Sequence, residues 1–354
     1  MKTTSKKKLI KKFDPNGVGQ KGRLFGLPFD YDSSQIIVIP VPWDVTTSYK
    51  DGASKGPKNL LEVSTQIDLF MPSIKDAWKY GIYMLPIDDG WVEKNDQARN
   101  YTQHYIRFLE GEGFKVSKKD EAVILKSINA LSDKINHWVF AKASEALDKG
   151  KVPVVLGGDH SAPYGLIKAM TSKYLNFGVL QIDAHADLRH AYQGFNFSHA
   201  SIMHNILQLD GVEKLVQVGI RDICEEEFDL INSDERIVTF FDHQLAREQF
   251  EGRTWQSQVD EIIDALPDSV YISLDVDGLA QNYCPGTGTP VPGGLSFNQL
   301  IYLFERINEA GKQIISFDVC EISGRQGDWD AIVGSRLLYN LANITAQSQK
   351  LPQD

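Results

Sequence analysis

FGVLQIDAHADLRH, residues 177–190, is the stretch on which the reading of this sequence turns. Its first six residues are apolar almost without alternation, the pattern of a strand covered on both faces in a parallel sheet. They run straight into Asp183, His185 and Asp187. The same construction recurs three times: residues 152–156 (VPVVL) run into GGDHS at 157–161, residues 269–274 (SVYISL) into Asp275, Val276, Asp277 and Gly278, and residues 313–317 (QIISF) into Asp318, Val319, Cys320 and Glu321. Further β-branched runs lie at 35–41, 215–219 and 236–241. Helical patterns separate them. In 297–310, Phe297, Leu300, Ile301, Phe304 and Ile307 share one helical face, 134–148 and 257–266 read similarly, and 329–347 reads as a closing helix. Strands alternating with helices give an α/β fold with a mostly parallel sheet. Residues 1–34 read as an N-terminal arm, basic and then glycine-rich, and 35–354 as a single domain.

Composition bounds the function. The 354 residues are 42% hydrophobic and 24% charged, enough apolar material for a large core, which excludes disorder as the main state. No window approaches the roughly 18 uninterrupted apolar residues of a membrane span, and the basic start lacks the apolar core of a secretory signal. The three cysteines, Cys224, Cys284 and Cys320, make neither a disulfide framework nor a CxxC metal site, which suits a reducing cytoplasm. A net charge of −10 argues against nucleic acid as a partner.

Four strands therefore end in acidic or imidazole groups at their carboxyl ends, where open α/β sheets place ligands. Along an extended segment Asp183, His185 and Asp187 point to one side, and so do Asp275 and Asp277 on another strand. Carboxylates converging on one cleft repel unless a cation neutralises them. Any one of these residues alone reads as a turn or helix cap. Together with His160 they fit two divalent ions sharing bridging carboxylates. An oxygen-rich set with two histidines and no thiolate favours Mn²⁺ over structural Zn²⁺, and Ni²⁺ or Co²⁺ could take the same ligands.

GGDHS, DAHAD and SLDVDG, in this order and at this spread, resemble the ureohydrolases, the arginase, agmatinase and formiminoglutamase enzymes. The resemblance extends to PVPWDVTTSYKDGASKGP (40–57), GIRD (219–222), PGTGTPVPGGLS (285–296) and FDVCEIS (317–323), so that it covers roughly residues 35–345. It implies a three-layer arginase-like fold, with a central mostly parallel sheet flanked by helices, and a binuclear manganese centre. By this resemblance His160, Asp183, Asp187 and Asp275 bind one manganese, and Asp183, His185, Asp275 and Asp277 the other, with Asp183 and Asp275 bridging. A hydroxide held between the ions attacks the amidine carbon, with Asp187 and Asp277 counted among the catalytic groups. His199, in FSHAS, matches the proton-shuttle histidine, and Glu321 matches the carboxylate that grips the guanidinium. The resemblance further implies a small guanidino or amidine substrate, release of urea, and a homotrimer or homohexamer.

The sequence departs from the family at three places. The DVDxxDP pattern continues here as Gly278, Leu279, Ala280, Gln281, without the second Asp-Pro pair. Ala200 follows His199 where relatives usually have Gly. Arginase's Thr-x-Ser-Gly-Asn stretch is missing between Leu188 and Ser198, which weakens arginase itself. Arg189 makes DAHADLR similar to formiminoglutamases, but those usually lack the histidine at 199. An agmatinase-like hydrolase fits the mixture best, with arginase, guanidinobutyrase, guanidine hydrolase and formiminoglutamase as alternatives. Two readings from other classes are a phosphotransferase using LDVDG, which leaves GGDHS and DAHAD unexplained, and a catalytically silent binding module. Gly52-Ala53-Ser54-Lys55-Gly56 formally matches a serine-hydrolase elbow, but no strand precedes it, and it reads as a loop. Cys320 reads as a buried thiol, and Trp43 and Trp329 as packing residues near the mouth of the site.

Overall fold

The structure is a computed structural model that describes residues 5–113, 115–323 and 329–353. Among these, eight strands form one sheet: β1 (Ile36–Pro40), β2 (Ile82–Met84), β3 (Val152–Leu156), β4 (Phe177–Ile182), β5 (Val212–Ile220), β6 (Ile237–Phe241), β7 (Ser269–Asp275) and β8 (Gln313–Cys320). Their spatial order is β2-β1-β3-β8-β7-β4-β5-β6, and every pairing is parallel. All carboxyl ends therefore lie along one edge. The four strands that lead into acidic or imidazole groups, β3, β8, β7 and β4, are consecutive in the sheet although far apart in the chain.

Apolar side chains alternate between two cores. Val152, Val154 and Leu156 of β3 and Val270, Ile272 and Leu274 of β7 face one core with Leu300, Phe304, Leu337 and Leu338 from the helices Phe297–Glu309 and Trp329–Ser348. Val155, Val179 and Tyr271 face the other, against Ile135, Val139, Leu166 and Ile167 of the helices Lys118–Asp148 and Tyr164–Thr171. The result is the three-layer α/β sandwich expected from the sequence. Burial on both faces explains why these strands read as unbroken apolar runs.

Several boundaries differ. The short β2 went unread because its three residues carry no periodic signal. The helix expected over 134–148 begins at Lys118, where Ser117 accepts a hydrogen bond from the Asp120 amide and caps it. β8 runs three residues further than its apolar run, because Asp318 and Cys320 are buried within the sheet. The segment at 52–56 is no loop: a 3₁₀ turn, Ala53–Lys55, leads directly into the helix Gly56–Val63. No strand precedes it, so the elbow geometry is absent as expected. The first four residues of the N-terminal arm lie outside the described residues. The rest packs on the domain, with a helix over Lys6–Lys12 and with Leu24, Phe25, Leu27 and Phe29 buried in the first core.

One glycine fixes how the site is assembled. The carbonyl of Trp43 occupies the space a Cβ would need at Gly158 and accepts a hydrogen bond from the Asp159 amide at 2.7 Å. Gly158→Ala must push the β1 and β3 loops apart in a closely packed region. We expect a loss of about 2–3 kcal/mol of stability, read from chemical denaturation midpoints; an unchanged midpoint would mean the loops yield freely.

Candidate metal centre

His160 lies in the turn after β3 and is 1% exposed. Its Nδ1 sits 2.9 Å from Asp183 Oδ2, 2.9 Å from Asp187 Oδ2 and 3.6 Å from Asp275 Oδ2. Despite this proximity Nδ1 has no hydrogen-bond partner of acceptable geometry among the described residues. His185 Nδ1 lies 3.1 Å from Asp277 Oδ2 and 3.5 Å from Asp183 Oδ1. Two ligand sets result, His160 with Asp183 and Asp275, and Asp183 with His185 and Asp277. They share Asp183, and Asp187 joins the first through its approach to His160. An orphaned buried imidazole nitrogen ringed by carboxylate oxygens fits a divalent ion.

The expected alternation does not explain how DAHAD converges. The strand ends at Ile182, and Asp183–Asp187 is irregular. The Asp183 amide is held by Val218 O at 3.2 Å, and the His185 amide turns back to Asp183 Oδ1 at 2.7 Å. Asp187 adopts φ 55°, costly for a residue with a Cβ. Its carbonyl accepts from the Met203 and His204 amides at the start of the helix Ile202–Ile206, which holds that conformation. Asp275 ends β7, whereas Asp277 lies in a 3₁₀ turn whose amide caps onto Asp275 Oδ1 at 2.8 Å.

Electrostatics follow from this crowding. Burial, then Asp277, Asp183 and Glu321, push the Asp275 carboxyl well above the usual range. Burial and the Asp183 charge push Asp187 up to about 7. Burial alone would lower His160 and His185, but the adjacent carboxylates reverse it and raise both, His185 to about 12. The metal-free cluster thus stabilises itself by holding protons in place of cations.

Glu321 follows β8 at φ 63° and is 4% exposed. Its Oε1 accepts from the His160 amide at 3.0 Å, while Oε2 is buried without a partner and faces a cavity of about 180 Å³ that His160, His185, Asp187, His199 and Asp275 also line. His199 opens a 3₁₀ turn, its amide donating to Thr46 Oγ1 at 3.2 Å and its Nε2 lying 3.4 Å from Ser48 Oγ. Burial, then the neighbouring His185 and Arg99 cations, push His199 down to about 3. The structure thus brings together every predicted site residue: His160, Asp183, His185, Asp187, Asp275, Asp277, His199 and Glu321.

Sequence reasoning missed the supports. His160 Nε2 pairs with Ser273 Oγ at 2.9 Å and lies 3.9 Å from Asp318 Oδ1; Asp318 accepts from Cys320 Sγ through Oδ1 at 3.4 Å and from the Tyr271 hydroxyl through Oδ2 at 2.7 Å. Position gave a hint: Ser273 stands two residues before Asp275 on the same strand. Asp44 receives the amides of Gly52 and Ser54 and exchanges hydrogen bonds with Asn95, while Arg99 donates to the carbonyls of Val45 and Thr47. These fix the loop bearing Thr46 and Ser48. Trp43 is a packing residue as expected, buried edge-on against Trp91 at 6.2 Å.

A scan against family models matches residues 34–342 to the arginase family. The chain belongs to the arginase family. An N(1)-aminopropylagmatine ureohydrolase of Thermus thermophilus is 30% identical over 314 residues, 89% of this chain and 91% of that protein. The agmatinase of Pyrococcus horikoshii is 27% identical over 321 residues, 90% and 94% of the two chains. Among solved structures, an agmatine ureohydrolase of Thermoplasma volcanium superposes with a TM-score of 0.69 at 22% identity, covering 97% of this chain and 99% of that one, a likeness of fold. This arginase-family chain is a hydrolase of carbon–nitrogen bonds in amidines and guanidines, agmatinase-like in its relatives. No described helix is long and apolar enough to cross a membrane.

Two predictions come from this geometry. Asp187, with a folded pKa raised to about 7, stabilises the metal-free fold fully below its unfolded value and loses that contribution as pH rises through 7; the raised histidines act in the same direction above their unfolded value. The melting temperature of chelator-treated protein should fall from pH 5 to pH 8, and added Mn²⁺ should restore most of it at pH 8. A rise with pH would contradict the charge crowding. Second, Ser273→Ala frees the His160 ring and should weaken binding of the more tightly held ion by roughly tenfold or more in equilibrium dialysis; unchanged binding would leave Ser273 without a positioning role.

Proposed function

We propose that this chain is a binuclear manganese ureohydrolase that cleaves a linear guanidino compound, agmatine first among them, releasing urea. The carrying observation is the conjunction of two ligand sets sharing Asp183 with the partnerless Glu321 Oε2 in the same cavity. His160, Asp183, Asp187 and Asp275 would hold one ion, and Asp183, His185, Asp275 and Asp277 the other. When bound, the two ions supply Lewis acidity and a water of lowered pKa. The ligand set is rich in oxygen, with two imidazoles and no thiolate, which favours Mn²⁺ while leaving Ni²⁺ and Co²⁺ as competitors.

The chain's own residues do the rest. Glu321, anchored by one oxygen to the His160 amide, presents the other to an N–H of the planar guanidinium and so orients its carbon. His199, held neutral by its surroundings, accepts a proton from the attacking water and returns it to the departing amine. Thr46 fixes the His199 main chain, and Ser48 stands next to Nε2 to favour one tautomer. Assembly as a homotrimer or homohexamer, which the family resemblance implies, and residence in the cytoplasm, which the free cysteines support, belong to the same reading; sedimentation of the purified chain tests the assembly.

The expected outcome is urea release from agmatine by the Mn²⁺-loaded protein, reduced more than about a hundredfold in Asp183→Asn, which removes the shared ligand. Urea from another guanidino compound keeps the chemistry and changes the substrate. Ammonia and formamide from a formimino compound would move the assignment to formiminoglutamase. Silence with Mn²⁺, Ni²⁺ and Co²⁺ across the panel would sink the proposal.

A further inference from the structure

The run Gly286-Thr287-Gly288-Thr289 supplies no metal ligand, yet it passes alongside the cavity. Both of its ends are fixed. The Gly286 amide donates to Asp330 Oδ2 at 2.9 Å, which ties it to the helix Trp329–Ser348, and Thr289 Oγ1 donates to Asp277 Oδ2 at 3.5 Å. The two glycines answer to space rather than to backbone conformation, since neither has a positive φ. A Cβ at Gly286 would lie 2.7 Å from Asp330 Oδ2, the oxygen that the Gly286 amide needs. A Cβ at Gly288 would lie 3.3 Å from Glu321 Oε2 and 3.4 Å from the main-chain oxygen of Lys50. A side chain there would stand between the two oxygens.

Both oxygens are unmet acceptors. Glu321 Oε2 is buried without a partner, and the Lys50 carbonyl accepts no hydrogen bond among the described residues. Both are also held in place. Glu321 is anchored through Oε1 to the His160 amide. The loop bearing Lys50 is tied on either side, by Arg99 donating to Thr47 O at 2.6 Å and by Gln103 Nε2 donating to Asp51 Oδ2 at 3.0 Å. Two fixed acceptors, one a carboxylate and one a carbonyl, within 3.4 Å of a single point call for a small group that carries two N–H donors. The terminal NH₂ of a guanidinium is such a group, planar and cationic.

We infer that Gly288 and the Lys50 carbonyl complete the guanidinium slot. The carbonyl accepts the second N–H of the nitrogen that Glu321 Oε2 binds, and the missing side chain at 288 keeps the slot open for it. Alkylation of that nitrogen removes one of the two donors and leaves one oxygen unmet. The inference rests on the ureohydrolase reading and deepens it: the substrate class is guanidino compounds with at least one unsubstituted terminal nitrogen, and compounds alkylated on both terminal nitrogens are refused.

The first test needs only the wild type. Calorimetric titration of the Mn²⁺-loaded protein compares two dimethylated agmatines of equal mass and charge. One carries both methyl groups on a single terminal nitrogen and keeps an NH₂; the other carries one methyl on each and keeps none. The first isomer should bind at least about tenfold more tightly. Equal binding, the reverse order, or binding of neither overturns the inference. The expected order without urea release from any guanidino compound would sink the hydrolase reading and leave the slot standing; urea release without that order would do the opposite. The second test is Gly288→Ala, whose contacts of 3.3 and 3.4 Å are tolerable in a folded chain. Its KM for agmatine should rise about tenfold, with kcat changed less and both ions bound as in wild type by equilibrium dialysis. An unchanged KM, or a loss of ion binding that accompanies the rise, overturns the assignment.

Discussion

Mutual repulsion among buried carboxylates is the constraint on which the rest of this structure depends. Asp183, Asp187, Asp275, Asp277 and Glu321 are each 5% exposed or less, and all converge on one edge of the sheet. In a low-dielectric surround, such a group of charges is tolerable only with cations or protons among them. Two imidazoles supply part of the compensation, and their raised proton affinity measures how much more is needed. A fold that puts these groups in place must therefore be rigid enough to resist their separation. Parallel strands packed on both faces provide that rigidity, and their four adjacent carboxyl ends provide the site.

Around this centre, stability and reactivity draw on the same hydrogen bonds. The main-chain amide of His160 steers one oxygen of Glu321, which leaves the other to face the cavity. Ser273 restrains the His160 ring, and Asp318 and Tyr271 stand behind it in a buried polar layer. Helix Asp89–Leu109 contributes no ligand. Through Asn95, Arg99 and Thr102 it instead holds the loop that positions His199. The strained turns at Asp187 and Glu321 are affordable because each is anchored from a neighbouring segment.

Much of this was legible in the sequence. Unbroken apolar runs ending in Asp or His announced both the parallel sheet and the side of it that carries chemistry, because burial on two faces and ligand placement at strand ends leave marks along one dimension. All eight predicted site residues do share one place. What could not be read was held by contacts between distant segments. Asp44 and Asn95 are 51 residues apart, and Thr46 and His199 are 153 apart. Period-two alternation also gave the wrong reason for a right grouping. DAHAD converges by a turn with a left-handed Asp187, a conformation that side-chain periodicity does not encode.

The Arg221 guanidinium has a consequence for how such a site can change. It spans carbonyls at 219, 277, 279 and 291, so the segment that walls the mouth shares its anchor with the segment that carries Asp277. Loop and metal corner are consequently one mechanical unit. A loop transplanted from a relative would have to bring a carbonyl to the same fork or leave half-buried N–H donors unmet. Substrate range here cannot be re-engineered by loop exchange alone; the graft has to include the strand end that the arginine grips.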